Sequence, residues 1–489
     1  MSPDSIQPDI CALPARKLAA MIRSRDVSSR EVVAAFLSRI DALNPQFNAI
    51  VSLVDRDEVM QQADAADAAV ARGDAVGPMH GLPQAIKDIV PVRGIRSTFG
   101  SPLFADNIPD IESIFVTRMR AAGAIFIGRT NVPEFGLGSH TYNPLFGPTR
   151  NAWDPSRSAG GSSGGAAVAI ALRLLPFADG SDMGGSLRNP AAFNNVLGFR
   201  PSQGRIPQWP REEAFLKQLV TDGPMARSAD DLALLLSVQS GYDARAPMSL
   251  DGTVPDWHDQ LQRDFSGARI GWLGDLGGRI PFEDGVLDLC HDALSGLGDA
   301  GIALEAVQSD FDWERIWRAF VVLRQFSIGG DRLGVAYDKP ELRKLMKPEL
   351  QWEIEQCREL SVAQIQRALH DRTAWYDHLL ELFGDYDFLA LPSAQLFPFP
   401  VEWTWPKEIG GRSMDSYHRW MEVVAPGTLS GCPVISLPAG FGPQGIPMGV
   451  QIIGRPRDDL SVLQLTHLYE QVAPWMAKAP RAAHISAGQ

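Results

Sequence analysis

Cysteine is scarce in this chain: four residues in 489, at positions 11, 290, 357 and 432. They are too scattered for a CxxC metal or redox pair, and a chain of this length does not need disulfides, so a reducing, cytoplasmic setting is expected. Positive charge is short as well. Lysine and arginine number 45 against 58 acidic residues, and the net charge of −13 repels a phosphate backbone, so no nucleic-acid partner is expected. No window approaches the roughly 18 uncharged apolar residues that span a bilayer. The opening Met-Ser-Pro-Asp-Ser-Ile-Gln lacks the basic stretch and apolar run of a secretory leader, so no membrane partner is expected either. The nine histidines show no HExxH or paired-ligand spacing, which leaves no metal site in view. There is no Walker lysine behind a glycine loop and no GxGxxG opening a helix after a strand, so no organic cofactor is expected.

What is present is an ordinary globular composition, 45% hydrophobic and 21% charged, able to bury a large core. Residues 28–43 place Val32, Val33, Phe36, Leu37, Ile40 and Leu43 on one helix face, with Ser28 and Glu31 spaced as a capping box. Residues 61–71, alanine-rich with interspersed aspartates, suit a second surface helix. Short apolar runs follow at 124–127, 270–273, 388–391, 434–437 and 450–453. Runs of that length between helical stretches predict buried strands of a mixed or largely parallel sheet covered on both faces, an α/β class. Residues 243–267 read as a connection. Residues 396–411 hold Phe397, Phe399, Trp403 and Trp405 among prolines. No repeat, low-complexity tract or linker divides the chain, so one domain over 1–489 is expected.

Three segments carry chemistry. Gly160-Gly161-Ser162-Ser163-Gly164-Gly165 precedes a helix-forming stretch, a place where free amides and the helix dipole suit an anion or oxyanion. Asp182-Met183-Gly184-Gly185-Ser186-Leu187-Arg188-Asn189-Pro190 again sets a serine beside clustered backbone amides. Gly81-Leu82-Pro83-Gln84-Ala85-Ile86-Lys87-Asp88 ends a short apolar run on a lysine. A lone lysine is usually a solvated surface charge, because burying an ammonium is costly. The stretch 160–164 also satisfies GxSxG, the nucleophile elbow of α/β-hydrolases, with His418 and His467 available downstream. Against that reading, the elbow should follow a strand, whereas residues 151–159 are polar and turn-like, and Lys87 and Ser186 are left without a role.

Together the three segments resemble the amidase signature family: a lysine in a GxPxxxKD-like segment, then GGSSGG, then DxGGSxRxP. The two serines stand 24 positions apart, 186 against 162, which also agrees with that family. The likeness is strong over residues 80–210 and returns weakly near 430–455. It implies an amidase-signature fold with a mixed sheet between helices. Residues 1–75 would form a helical N-terminal segment, 80–210 the catalytic core, 243–430 a variable pocket region, and 430–470 returning core strands.

The resemblance further implies a Ser-Ser-Lys triad with Ser186 as nucleophile, Ser162 as bridging hydroxyl and Lys87 as base, and a cis peptide bond before Ser162. Such a lysine serves only if burial and neighbours lower its pKa. The amides of Met183, Gly184, Gly185 and Ser186 would hold the oxyanion. Gly136 would line the acyl pocket, and Asp182 and Arg188 would support the nucleophile loop. The implied activity is hydrolysis of a small-molecule amide or carbamate. The aromatics at 396–405, with Trp420 and Met421, either line a pocket that favours an aryl or hydrophobic acyl group or belong to the core, and the sequence leaves both open. The alternative within the same fold is the glutaminase subunit of a tRNA-dependent amidotransferase. The amphipathic N-terminal helix also leaves a homodimer open.

Overall fold

A computed structural model describes residues 9–252, 255–330 and 332–484. The opening seven residues, on which the expectation of no leader rests, lie outside them. Three helices, Ala15–Ser24, Ser29–Phe47 and Arg56–Arg72, begin the described chain. The capping box forms: Ser28 Oγ accepts the Glu31 amide at 3.1 Å, and the Glu31 carboxylate accepts the Ser28 amide at 2.8 Å. The helix runs beyond residue 43 to Phe47, through Pro45, and stops where Asn48 turns left-handed at φ 53°. Its apolar stripe divides between two cores. Val32 and Phe36 enter one, and Val33, Leu37, Ile40 and Leu43 enter the other.

A small sheet follows, made of β1 (Ile50–Val51), β2 (Pro83–Lys87) and β3 (Ile125–Thr130), in the order β1-β3-β2. β2 runs parallel to β3 and ends on Lys87, paired in register with Thr130. The large sheet contains β4 (Ala178–Asp182), β5 (Leu197–Arg200), β6 (Thr221–Ala226), β7 (Arg269–Trp272), β8 (Ala303–Ala306) and β9 (Phe388–Pro392). A separate hairpin, β10 (Glu408–Ile409) and β11 (Arg412–Ser413), precedes the last two strands of the large sheet, β12 (Val434–Phe441) and β13 (Pro447–Ile453). Its order is β4-β6-β5-β12-β13-β9-β7-β8.

The sheet is mixed, as expected, but it is not largely parallel. Only β7 pairs in parallel, with β8 and β9; the other five pairings are antiparallel. Long apolar runs report that both faces of a strand are covered, and direction is decided by the connection. β12 and β13 are joined by the tight turn after Phe441, which only an antiparallel pair accommodates. The helices Arg188–Asn194 and Val286–Ser295 pack on β12 and β13. No described helix is long and apolar enough to cross a membrane.

Two packing relations place the site. The helix Gly164–Ala171, built from small residues and wholly buried, lies against β1 and β3 of the small sheet and β4 and β6 of the large one. Beside it β2 packs directly on β4. The end of β2, the start of that helix and the end of β4 therefore converge.

Candidate active site

Lys87 has no exposed surface. Its Nζ donates to Ser162 Oγ at 2.8 Å, Ser163 Oγ at 2.8 Å, Ser181 Oγ at 3.0 Å and the Ser181 carbonyl at 3.3 Å. All four acceptors are neutral. Burial drives the amine down to about 7, against the opposing pull of the Asp179, Asp222 and Asp182 carboxylates. A large fraction of Lys87 is thus the free amine near neutral pH, with a lone pair to take a proton.

Ser162 sits on the tight loop into the helix Gly164–Ala171, and the Gly161–Ser162 peptide is cis. The loop fits because Gly160 holds φ +72° and a Cβ there would stand 2.9 Å from Pro190 Cα. Ser186 lies on the turn between β4 and the helix Arg188–Asn194, and its carbonyl accepts the Ser163 amide at 3.2 Å. Ser162 and Ser186 face one cavity of about 100 Å³, together with Gly136, Ser181, Met183 and Gly184. Gly136, at φ +70°, stands against Ser162: a Cβ there would lie 3.4 Å from Ser162 Oγ and 3.3 Å from Ile89 Cδ1.

The turn that carries Ser186 is clamped from below. Asp182 accepts the Gly185 amide at 3.0 Å and the Leu187 amide at 3.1 Å, and Arg188 grips it with Nη2 at 2.9 Å and Nε at 3.0 Å. Arg200 donates to the Asp182 carbonyl from the other side. Burial pushes the Asp182 carboxyl up, but the two guanidiniums outweigh it and hold the group well below the usual carboxylate range. Arg188 reaches on to Thr428 Oγ1 at 2.8 Å, the Val424 carbonyl at 3.0 Å and Gln451 Oε1 at 2.6 Å. It spends every donor on the scaffold and none on the cavity.

Three neighbours of Lys87 carried no signal in the sequence. Ser163 reads as the second serine of a pair. Ser181 and Asp179 sit inside β4, and only the packing of the two sheets brings them to the lysine. Asp179 Oδ2 accepts the Lys87 main-chain amide at 3.2 Å.

Of the two places open to the aromatic segment, most of it takes the core. Leu396, Phe397, Phe399 and Trp420 are buried in the core, with Phe399 edge-on to Phe193, His140 and Trp420, while Trp403 is 49% exposed. Of these residues only Met421 reaches the cavity. Its apolar wall comes instead from Ile89, Phe135, Leu137, Val220 and Ile328. Ile89, Ser181, Met183 and Val220 also line an adjoining chamber of about 320 Å³, whose far wall holds Trp209 and Asp222. The α/β-hydrolase elbow has no histidine at Ser162: His418 Nδ1 bonds Ser416 Oγ at 2.8 Å, and His467 faces Glu470 at 3.7 Å.

Comparison with known proteins identifies the family. The amidase family model matches residues 31–463. An acylamidase of Rhodococcus erythropolis is 35% identical over 476 residues, covering 96% of this chain and 97% of that protein. A glutamyl-tRNA(Gln) amidotransferase subunit of Ralstonia nicotianae is 33% identical, covering 96% of this chain and 99% of that protein. The crystal structure of a bacterial aryl acylamidase of the amidase signature enzymes superposes with a TM-score of 0.89 at 29% identity, covering 98% and 99%. The chain belongs to the amidase family and is a hydrolase of amide carbon–nitrogen bonds.

Proposed function

We propose that this chain hydrolyses hydrophobic, aryl-type acyl amides through an acyl-enzyme on Ser186, with Ser162 as proton relay and Lys87 as base. The observation that carries the reading is the fully buried Lys87 amine, 2.8 Å from Ser162 Oγ and without a carboxylate in contact. Neutral Lys87 takes the Ser162 proton as Ser162 takes that of Ser186, and Ser186 Oγ bonds to the carbonyl carbon. The tetrahedral oxyanion draws on the amides of Met183, Gly184 and Ser186, since that of Gly185 is committed to Asp182. A strong donor of this kind is typically worth about 3 to 4 kcal/mol. Collapse breaks the C–N bond while the proton returns from Lys87 through Ser162 to the leaving nitrogen, which departs as a neutral amine. Water then attacks the ester by the same route and frees Ser186.

The apolar wall of the cavity supports a substrate with a bulky apolar portion, as do the names of the acylamidase and aryl acylamidase relatives. The amidotransferase relatives support a second reading, a glutaminase subunit working in a complex, which the apolar wall disfavours. Free thiols at all four cysteines support a reducing, cytoplasmic setting.

The test is intact-mass detection of a covalent adduct after fluorophosphonate treatment, on the wild type, Ser186→Ala and Ser162→Ala. A mass increment lost in Ser186→Ala, with anilide turnover by the lone chain, is expected. An adduct that survives Ser186→Ala and disappears in Ser162→Ala refutes the triad. Turnover of glutamine but of no anilide favours the amidotransferase reading.

A further inference from the structure

Lys87 is held at both ends by one face of β4. Alternate residues of a strand point the same way, and here the pair is Asp179 and Ser181. Ser181 Oγ accepts from the amine at 3.0 Å, and Asp179 Oδ2 accepts from the main-chain N–H of the same lysine at 3.2 Å. β2 is an edge of its own sheet, so the carboxylate stands where a neighbouring strand would otherwise pair, and it ties the small sheet to the large one at the lysine. Asp179 is 1% exposed, and its Oδ1 takes the Gln84 side-chain amide at 3.5 Å.

An asparagine oxygen would keep the bond from the Lys87 N–H, and its NH2 would displace only the long 3.5 Å contact with Gln84, so the bond to the lysine backbone does not by itself require a charge there. The surrounding charges supply the reason. Asp182, at the end of β4, is matched by Arg188 and Arg200. Asp222, opposite Ser181 in the β4–β6 ladder, accepts from Gln208 at 2.9 Å and feels Arg211. From β3, buried Arg129 pairs with Asp88 at 3.4 Å and donates to the Lys87 carbonyl at 2.8 Å, and it also faces Asp179. One guanidinium is therefore shared by two carboxylates, Asp88 and Asp179. With its three members ionised, this trio carries one surplus negative charge, which a proton on Lys87 offsets.

We infer that Asp179 is a positioning residue: it fixes the Lys87 backbone and supplies the charge that balances the lysine when the amine is protonated during the reaction. The inference rests on the Ser-Ser-Lys reading of the site. Burial raises the Asp179 carboxyl to about 6, against the Lys87 N–H and Arg129, so it is largely ionised where Lys87 titrates near 7. Ser186 gives its proton to Ser162 and Ser162 gives its own to Lys87, whose ammonium then faces Asp179 until the proton passes to the leaving nitrogen.

The test follows the rate of Ser186 fluorophosphonate labelling against pH in the wild type and Asp179→Asn, a readout that needs no substrate. In the wild type the rate rises with pH as Lys87 loses its proton. In Asp179→Asn the rise moves to lower pH by about 1 unit, the lower end of the effect of removing a nearby opposite charge. The plateau falls about tenfold, the equivalent of that unit in the stability of the ammonium. A merely structural Asp179 lowers the rate at every pH and leaves the rise in place. That result, or a rise displaced to higher pH, overturns the inference. Asp179→Ser guards against poor folding of the amide variant and is expected to show the same displacement. Loss of the fold in both overturns it too. A wild type that labels anywhere but Ser186 refutes the triad instead, and the two failures are thereby distinguished.

Discussion

Replacing Lys87 by methionine separates the cost of burying an amine from the chemistry the amine performs. In the unfolded chain the amine titrates near 10.4; in the folded protein burial brings it to about 7. Below pH 7 both states are charged. Between pH 7 and about 10 the unfolded chain holds a proton that the folded protein does not, so stability rises with pH by up to 1.36 kcal/mol per pH unit. From pH 7 to 9 the gain is roughly 2 kcal/mol, allowing for the half-protonated lysine at the lower end. Methionine fills a similar length and titrates nowhere in this range. It leaves the Ser162, Ser163 and Ser181 hydroxyls without their common donor, and that cost does not depend on pH. The assay is urea unfolding of the wild type and Lys87→Met at pH 7, 8 and 9, taking the difference at each pH so that other titrating groups cancel. The difference is expected to shift toward the wild type by roughly 2 kcal/mol as pH rises from 7 to 9. A difference that stays constant, or shifts the other way, shows that Lys87 is not a buried neutral amine and refutes its role as base.

Amide turnover in the wild type is expected to rise with pH through about 7, following deprotonation of Lys87, and a kcat/KM profile falling through that range would contradict it. Gly136→Ala places a Cβ 3.4 Å from Ser162 Oγ at a φ of +70°. The backbone strain is worth roughly 1 to 2 kcal/mol, and kcat/KM on an anilide should drop at least about tenfold, one such step in barrier, while circular dichroism stays native. Arg188→Met leaves Asp182 buried and without its bidentate partner. A broken buried pair of this kind costs about 3 to 5 kcal/mol, to be read as a lower urea midpoint, and an unchanged midpoint would remove Arg188 from its clamping role.

Lys87, Ser162, Ser186 and the glycines around them were legible as candidates because each lies in a short segment whose composition is unusual for its place. Lys87 ends an apolar run, and Ser162 and Ser186 stand among glycines that only a close backbone approach requires. Ser163, Ser181 and Asp179 were not legible, because their importance arises where an edge strand of one sheet meets a terminal strand of another, a contact 92 positions apart at Asp179 and Lys87. The capping box at Ser28 could be read because it is local. The direction of the strands could not, since burial on both faces produces the same apolar run in either orientation. Aromatic composition left its own question open for a related reason. Phe397, Phe399 and Trp420 suit a pocket and a core equally, and it is the path of the chain over Phe193 and His140 that buries them.

The arginine that grips the nucleophile loop reaches residues made far later: the Val424 carbonyl lies 236 positions on and Gln451 lies 263 positions on. During synthesis on the ribosome Lys87, Ser162 and Ser186 all exist well before these anchors emerge. Until the sheets close, Lys87 is a hydrated ammonium with no capacity to take a proton, and Ser186 sits on a loop without a fixed shape. On the proposed mechanism the nascent chain therefore carries its reactive groups in an inert form, and Ser186 is armed only when the strand that holds Gln451 is in place.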